Sequence, residues 1–292
     1  MRVLITGGSG FVGKHRVNHL KELGHEVIAV AHSRNDNADY SYIDDIAFAD
    51  VLNPIIARHG IDRLEHYASI STVGVSRRNP YATYRTNVLG TLSVLESALE
   101  YKIPAMVFST DKVYGYASQI ADEGTFLMPD AGEYENSKTL QDMLAQSYNL
   151  KAHNISIIRS CNIFGKDDTN SRLVPNTIRA LEEGKSPIIF KKRNTKRQFI
   201  YIPDLMSAID LILERTEGHI FNIATDNYLS QEDAVLSILK VWNKKYGVTV
   251  EPEYDDKSEL SELKAQYLVW EKLKMLGWSP KYTFEQGIED ML

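Results

Sequence analysis

Short, near-continuous apolar runs separated by helical periods leave this chain few folds to choose from. RVLIT (2–6), EVIAV (26–30), AMVFS (105–109) and NISIIR (154–159) read as strands. Between them the pattern predicts a helix over about 11–23. Val88, Leu92, Leu95 and Leu99 recur at helical spacing, as do Leu140, Met143, Leu144 and Tyr148. Strands without polar alternation are buried on both faces. Alternating with helices, they require an α/β architecture: a doubly wound parallel sheet. A third strand is expected near IDRLEHYAS (61–69), although Arg63 and Glu65 lie inside it.

After about Phe164 the style changes, with a basic loop at KKRNTKR (191–197) and an acidic stretch at 251–262. QFIYI (198–202) and HIFNIA (219–224) still read as strands. The expected division is a cofactor domain of residues 1–163 plus about 198–224. A smaller, interleaved C-terminal α/β substrate domain takes about 164–197 plus 225–292.

Composition narrows the function classes. A chain of 292 residues, 43% hydrophobic, can bury a sizeable core. A net charge of −6 gives no electrostatic reason to bind nucleic acid. The single cysteine, Cys161, cannot close an intrachain disulfide and suits a reducing compartment. No run approaches the roughly 18 apolar residues of a membrane span. The opening MRVLITGGSG is too short and too glycine-rich for a signal peptide. A cytoplasmic protein without membrane partners is expected, and no metal site.

LITGGSGFVG places Gly7, Gly10 and Gly13 after the first strand, and Gly8, Gly10 and Gly13 also satisfy G-x-G-x-x-G. Glycines between strand and helix allow a tight turn and close approach of a pyrophosphate to a helix N-terminus, which points to a dinucleotide. The position after the second strand, where an acid often binds the ribose, reads Ala31, His32, Ser33, Arg34. Arg34 could face a 2′-phosphate, which favours NADP over NAD, or could simply be solvated. Asp50 and Val51 could contact adenine, though an Asp before a helix equally serves as a cap.

EYENSKTL sets Tyr134 four residues before Lys138, on one helical face. A nearby ammonium favours phenolate, so Lys138 is expected to lower the Tyr134 pKa and make it a usable base. Ser109 and Thr110 end the strand before it.

Glycine loop, Ser109-Thr110 and Tyr134-x-x-x-Lys138, in this order, resemble the extended short-chain dehydrogenase/reductases, in the nucleotide-sugar epimerase/dehydratase branch. NPYATYRTNVLGTLSVLESA (79–98), RSCNIFG (159–165), RQFIYIPDL (197–205) and LGWSPKYTFEQGI (276–288) match later landmarks of that branch. The resemblance implies a Rossmann fold holding NAD or NADP. It makes Tyr134 the base, Lys138 the ligand of the nicotinamide ribose and Thr110 a partner of the sugar hydroxyl. It also sets Phe11, Val12, Ala68, Ser69, Asn87 and Ser109 against the cofactor. Thr72, Asn162 and Arg197 go to the substrate, the last two to its diphosphate. The chain departs from the pattern at Glu133, where the branch has a proline, and in lacking the acid after the second strand.

Asp111 and Lys112 follow Thr110 at once. They are either solvated loop residues or an acid–base pair. The resemblance, strongest to CDP-glucose 4,6-dehydratases, implies the second: Asp111 protonates the leaving C6 hydroxyl while Lys112 helps to remove the C5 proton. A 4-epimerase, a 4-keto-sugar reductase and a non-catalytic NADP-binding sensor or scaffold are the alternatives. Helix 86–100 carries apolar residues on more than one side, which core packing explains in part; the resemblance implies that it pairs with helix 134–150 at a homodimer interface.

Overall fold

The computed structural model describes residues 1–48, 50–115, 120–128, 132–191, 195–256 and 266–292. The basic loop 191–197 and the acidic stretch 251–262 lie partly outside the described residues. Seven parallel strands form the main sheet: β1 (Arg2–Thr6), β2 (Glu26–Ala31), β3 (Tyr40–Ile43), β4 (Arg63–His66), β5 (Ala105–Thr110), β7 (Ile155–Ser160) and β11 (Ile220–Ile223). Their order is β11-β7-β5-β4-β1-β2-β3. Three smaller sheets complete the molecule. β8 (Asn162–Phe164), β10 (Arg197–Tyr201) and β12 (Tyr228–Leu229) form one, while β9 (Ile188–Phe190) pairs with β13 (Glu253–Asp255) and β6 (Ile120–Ala121) with β14 (Tyr267–Leu268).

The main sheet follows from its sequences. Val3, Leu4 and Ile5, Val27 to Val30, and Met106 with Val107 are fully buried. Apolar cores fill both faces of the sheet. The strand order reverses between β1 and β4, which opens a crevice at the carboxyl ends of these two strands.

β4 is a strand despite its charges, and its neighbours supply the reason. Arg63, Leu64, Glu65 and His66 are all buried. The Glu65 carboxylate accepts from Arg16 Nε at 2.7 Å, Arg63 Nε at 3.0 Å and the Tyr67 hydroxyl at 2.8 Å. Arg16 also donates to Asp210 at 2.5 Å. Burial alone would raise the Glu65 carboxyl, but the two guanidiniums bring it down to about 2. Breaking such a buried pair costs about 3–5 kcal/mol. Helix Phe11–Glu22, which carries Arg16, is thereby locked onto β4 and onto helix Ile202–Arg215, which carries Asp210.

Two features add to the expected outline. Arg197–Tyr201, read with the cofactor domain, pairs with Asn162–Phe164 in parallel and with Tyr228–Leu229 antiparallel, away from the main sheet. The chain leaves the main sheet after Ser160, and the next strand, β8, offers the edge on which β10 pairs. The helix expected at 86–100 begins with a π-turn, Arg85–Leu89, before the α-helix Gly90–Tyr101. No described helix is long and apolar enough to cross a membrane.

Candidate active site

The glycine turn closes the end of β1. Gly7 adopts φ +74°, and a Cβ there would stand 2.5 Å from the Ala68 amide nitrogen. A Cβ on Gly13 would overlap the Gly7 carbonyl. These two glycines are therefore required by the chain's own backbone. Gly10 differs: its Cβ would meet only the Gly7 oxygen, at 3.3 Å, and it forms the N-cap of helix Phe11–Glu22. The side of the turn beyond Gly10 is thus open to a ligand, with amides pointing at it. Val12 and Phe11 start that helix.

Asn35, which the sequence did not single out, holds the turn from outside: its buried Nδ2 donates to the Gly8 carbonyl at 2.7 Å. The Oγ of Ser69, on the opposite wall, is buried with no hydrogen-bond partner. An open glycine cradle beside an orphaned hydroxyl fits a dinucleotide. Ser33 and Arg34 are exposed past the end of β2, and Arg34 pairs with Asp36 at 2.9 Å. Asp50 is exposed; Val51 is the N-cap of helix Leu52–His59, with no side-chain cap.

Tyr134 and Lys138 share the first two turns of helix Glu133–Ala152. Lys138 is buried, and its Nζ donates to the Phe108 carbonyl at 2.7 Å. Burial lowers the Lys138 pKa to about 7, against the opposing charge of Asp142. The expected lowering of Tyr134 by Lys138 does not occur. Burial pushes the phenol up to about 12, opposed by its hydrogen bond with Thr110 and by the charge of Arg172. Desolvation of the phenol outweighs the charges around it.

Two residues assigned to the cofactor have their side chains engaged within the chain. Asn87 is fully buried: its Oδ1 accepts from the Ile70 amide at 2.8 Å, and its Nδ2 donates to Ile70 O at 3.1 Å and Ser137 Oγ at 2.8 Å. The Ser109 hydroxyl donates to Asp142 at 2.6 Å, and Asp142 also binds Arg159. Satisfied buried groups such as these hold the fold around the crevice.

Asp111 and Lys112 stand on a 3-10 turn, Asp111–Tyr114, directly after β5. They are not solvated: side-chain exposures are 8% and 13%, and Lys112 Nζ donates to Asp111 Oδ2 at 3.0 Å. Thr110 Oγ1 donates to Asp111 Oδ1 at 2.9 Å. Gln266 Nε2 donates to the Asp111 carbonyl at 2.8 Å, fixing the turn from the C-terminal part of the chain. Thr110 thus touches both Tyr134 and Asp111. Cys161 packs close by, its thiol pushed up by burial.

On the opposite wall, Asn162 Nδ2 donates to Gln198 O at 3.2 Å, and Arg197 Nη1 to Lys196 O at 2.9 Å. Thr72 is the N-cap of the short helix Val73–Arg78. The sequence reading missed Arg172, at the N-terminus of helix Leu173–Glu182. It lies 3.4 Å from Ser71 Oγ and 3.8 Å from Asp168, spanning the crevice, and its charge reaches Tyr134. No spacing links it to the other residues, so only the fold could reveal it. Among the described residues no cluster could hold a metal ion.

The chain is similar to several characterised proteins. It is 26% identical over 313 residues to a trifunctional UDP-glucose 4,6-dehydratase/UDP-4-keto-6-deoxy-D-glucose 3,5-epimerase/UDP-4-keto-L-rhamnose-reductase of Arabidopsis thaliana. The match covers 98% of this chain but only 46% of that one, so the chain spans about half its length. Among solved structures it resembles the UDP-glucose 4-epimerase of Thermotoga maritima with UDP-glucose (TM-score 0.89, 25% identity, 100% of this chain and 97% of the other). It also resembles the dTDP-glucose 4,6-dehydratase of Bacillus anthracis in complex with NAD (TM-score 0.83, 25% identity, 100% and 95%). Residues 3–224 match the model of the NAD dependent epimerase/dehydratase family, and the chain belongs to that family.

Proposed function

We propose that this protein modifies nucleotide sugars through transient oxidation at C4, and that it does so as a 4,6-dehydratase. The observation that carries this reading is Thr110, hydrogen-bonded to both the Tyr134 phenol and the Asp111 carboxylate, with Lys112 on Asp111. One hydroxyl therefore joins a group suited to C4–OH deprotonation to an acid–amine pair suited to elimination. When bound, the nicotinamide supplies a hydride acceptor and a positive charge. Lys138, beside Tyr134 on the same helix, would hold its ribose. Tyr134 takes the C4 hydroxyl proton, with Thr110 hydrogen-bonded to the same oxygen. Asp111 then protonates the leaving C6 hydroxyl, and Lys112 receives the C5 proton made acidic by the new ketone. C6 would take back the hydride lost from C4 and C5 a proton from Lys112, leaving a 4-keto-6-deoxy sugar with no net oxidation.

The remaining assignments follow the same reading. Gly7, Gly10, Phe11, Val12, Gly13, Ala68 and Ser69 border the dinucleotide, with Asp50 and Val51 near its adenine. Arg34 favours NADP, because its surface pair with Asp36 is weak and would yield to a 2′-phosphate. Asn162, Arg197 and Thr72 meet the substrate. Residues 1–163 with about 198–224 form the cofactor domain, and the rest the substrate domain. Exposed Leu89, Leu99, Leu140 and Met143 on neighbouring helices favour a homodimer, and buried Cys161 suits the cytoplasm.

A second reading, 4-epimerase, is favoured by the overall likeness to an epimerase. The test is incubation with UDP-, dTDP-, CDP- and GDP-glucose, with NAD or NADP but no reduced cofactor, followed by proton NMR. A new C6 methyl signal supports dehydration. Inversion at C4 without a methyl signal identifies an epimerase. No turnover of any donor, with or without NADPH, overturns the enzymatic reading.

A further inference from the structure

A line of buried hydrogen bonds runs from the glycine turn to the tyrosine helix, through a histidine that no step above uses. His66 ends β4 and lies in register with Thr6, the residue before Gly7. Thr6 Oγ1 lies 2.6 Å from His66 Nδ1, and Thr91 Oγ1 lies 2.8 Å from His66 Nε2. The Thr91 hydroxyl donates to the Asn87 carbonyl at 2.6 Å. The Asn87 amide donates to Ser137 Oγ, and Ser137 donates to the Tyr134 carbonyl at 2.8 Å. Thr6, His66, Asn87, Thr91 and Ser137 are at most 1% exposed.

The direction of each bond follows from proton bookkeeping. Thr91 spends its proton on Asn87, so toward His66 it can only accept. His66 Nε2 must therefore carry the proton and Nδ1 must accept from Thr6, which is one neutral tautomer. Burial, aided by the Lys138 charge, lowers the His66 pKa to about 3, so the ring stays neutral over the working range. A neutral imidazole accepts on one edge and donates on the other across this span; an aliphatic residue would leave the Thr6 hydroxyl without its acceptor and Thr91 without its donor.

We propose that His66 is a positioning residue for Tyr134, fastening the strand end that carries the glycine turn to the backbone of the base through Thr91, Asn87 and Ser137. The same Asn87 grips the amide and carbonyl of Ile70, next to Ser69. One node therefore sets the cofactor wall and the base together. The π-turn at Arg85–Leu89, where the Gly90 amide bonds the Arg85 carbonyl, presents Asn87 at that node. The inference rests on the reading of Tyr134 as the base.

The test uses the full chain labelled with 13Cζ-tyrosine, the Tyr134 signal being assigned with Tyr134→Phe. Thr91→Val should displace that signal and lower kcat by about 10- to 100-fold with KM unchanged, since small misplacements of a reacting group are expensive. Thr91→Ser should restore both. His66→Gln, with one acceptor and one donor, should hold the signal where His66→Leu displaces it. An unmoved signal in folded Thr91→Val, or Thr91→Ser as damaging as Thr91→Val, overturns the proposal. If no nucleotide sugar turns over, the NMR signal still decides on positioning alone, so the two readings fail separately.

Discussion

Lys112 and Lys138 flank the same strand end, β5, yet their surroundings treat charge in opposite ways. Lys112 has a carboxylate at 3.0 Å, and both members of that pair are nearly enclosed. Lys138 has a neutral carbonyl at 2.7 Å and, among the described residues, no carboxylate in hydrogen-bond contact. Desolvation brings Lys138 to about 7, and Asp142, one turn further along the helix, only moderates the effect. Burial alone does not define a lysine; the charge of the atom facing the amine does. In the proposed chemistry the difference has a use. The Asp111–Lys112 pair can exchange a proton between its members, whereas Lys138 can respond to charge arriving beside it.

The comparison can be broken from either side. The largest effect should come from Tyr134→Phe, which removes the phenol on the Lys138 side. Turnover should fall by about 10²- to 10⁴-fold, the usual worth of a general base. Thermal stability should be nearly unchanged, and retention of activity would transfer the base role elsewhere.

Asp111→Asn acts on the other side and should cost about 10²-fold in dehydration. C4 oxidation should survive, seen as reduced cofactor accumulating on the enzyme during single turnover. Loss of oxidation and elimination together would show that the two lysine environments serve a single step.

The smallest effect is a titration without catalysis. In 13Cε-lysine spectra, the Lys138 signal, assigned with Lys138→Met, should cross its midpoint near pH 7. Its folded value lies below the 10.5 of a free lysine, so the unfolded chain binds more protons between pH 7 and 10.5. This group's penalty on stability is therefore full below about pH 7 and is relieved as pH rises across that window. A midpoint above 9 would show that desolvation does not govern Lys138.

Much of this was legible before any coordinates. The runs at 2–6, 26–30, 105–109 and 154–159 become strands of one sheet because uninterrupted apolar residues have one stable environment, the middle of a covered parallel sheet. The glycine spacing and Tyr134-x-x-x-Lys138 are short-range patterns, and local geometry carries them unchanged into the fold. β4 was harder to read, since Arg63 and Glu65 argue against burial until Arg16 and Asp210 arrive from distant helices. The partners of β10 were not legible, because an apolar run says that a strand is buried, not which edge it meets.

By itself the sequence determined the parallel α/β architecture, the phosphate-type turn and the candidate acids and bases, since each is written in residue type and near-neighbour spacing. Tertiary structure alone decided what those groups are. It paired Asp111 with Lys112, set Lys138 against a neutral carbonyl, raised Tyr134 instead of lowering it, and brought in Arg172 and His66. Ionisation depends on solvent exclusion and on charges arriving from remote parts of the chain, and neither is encoded in local order.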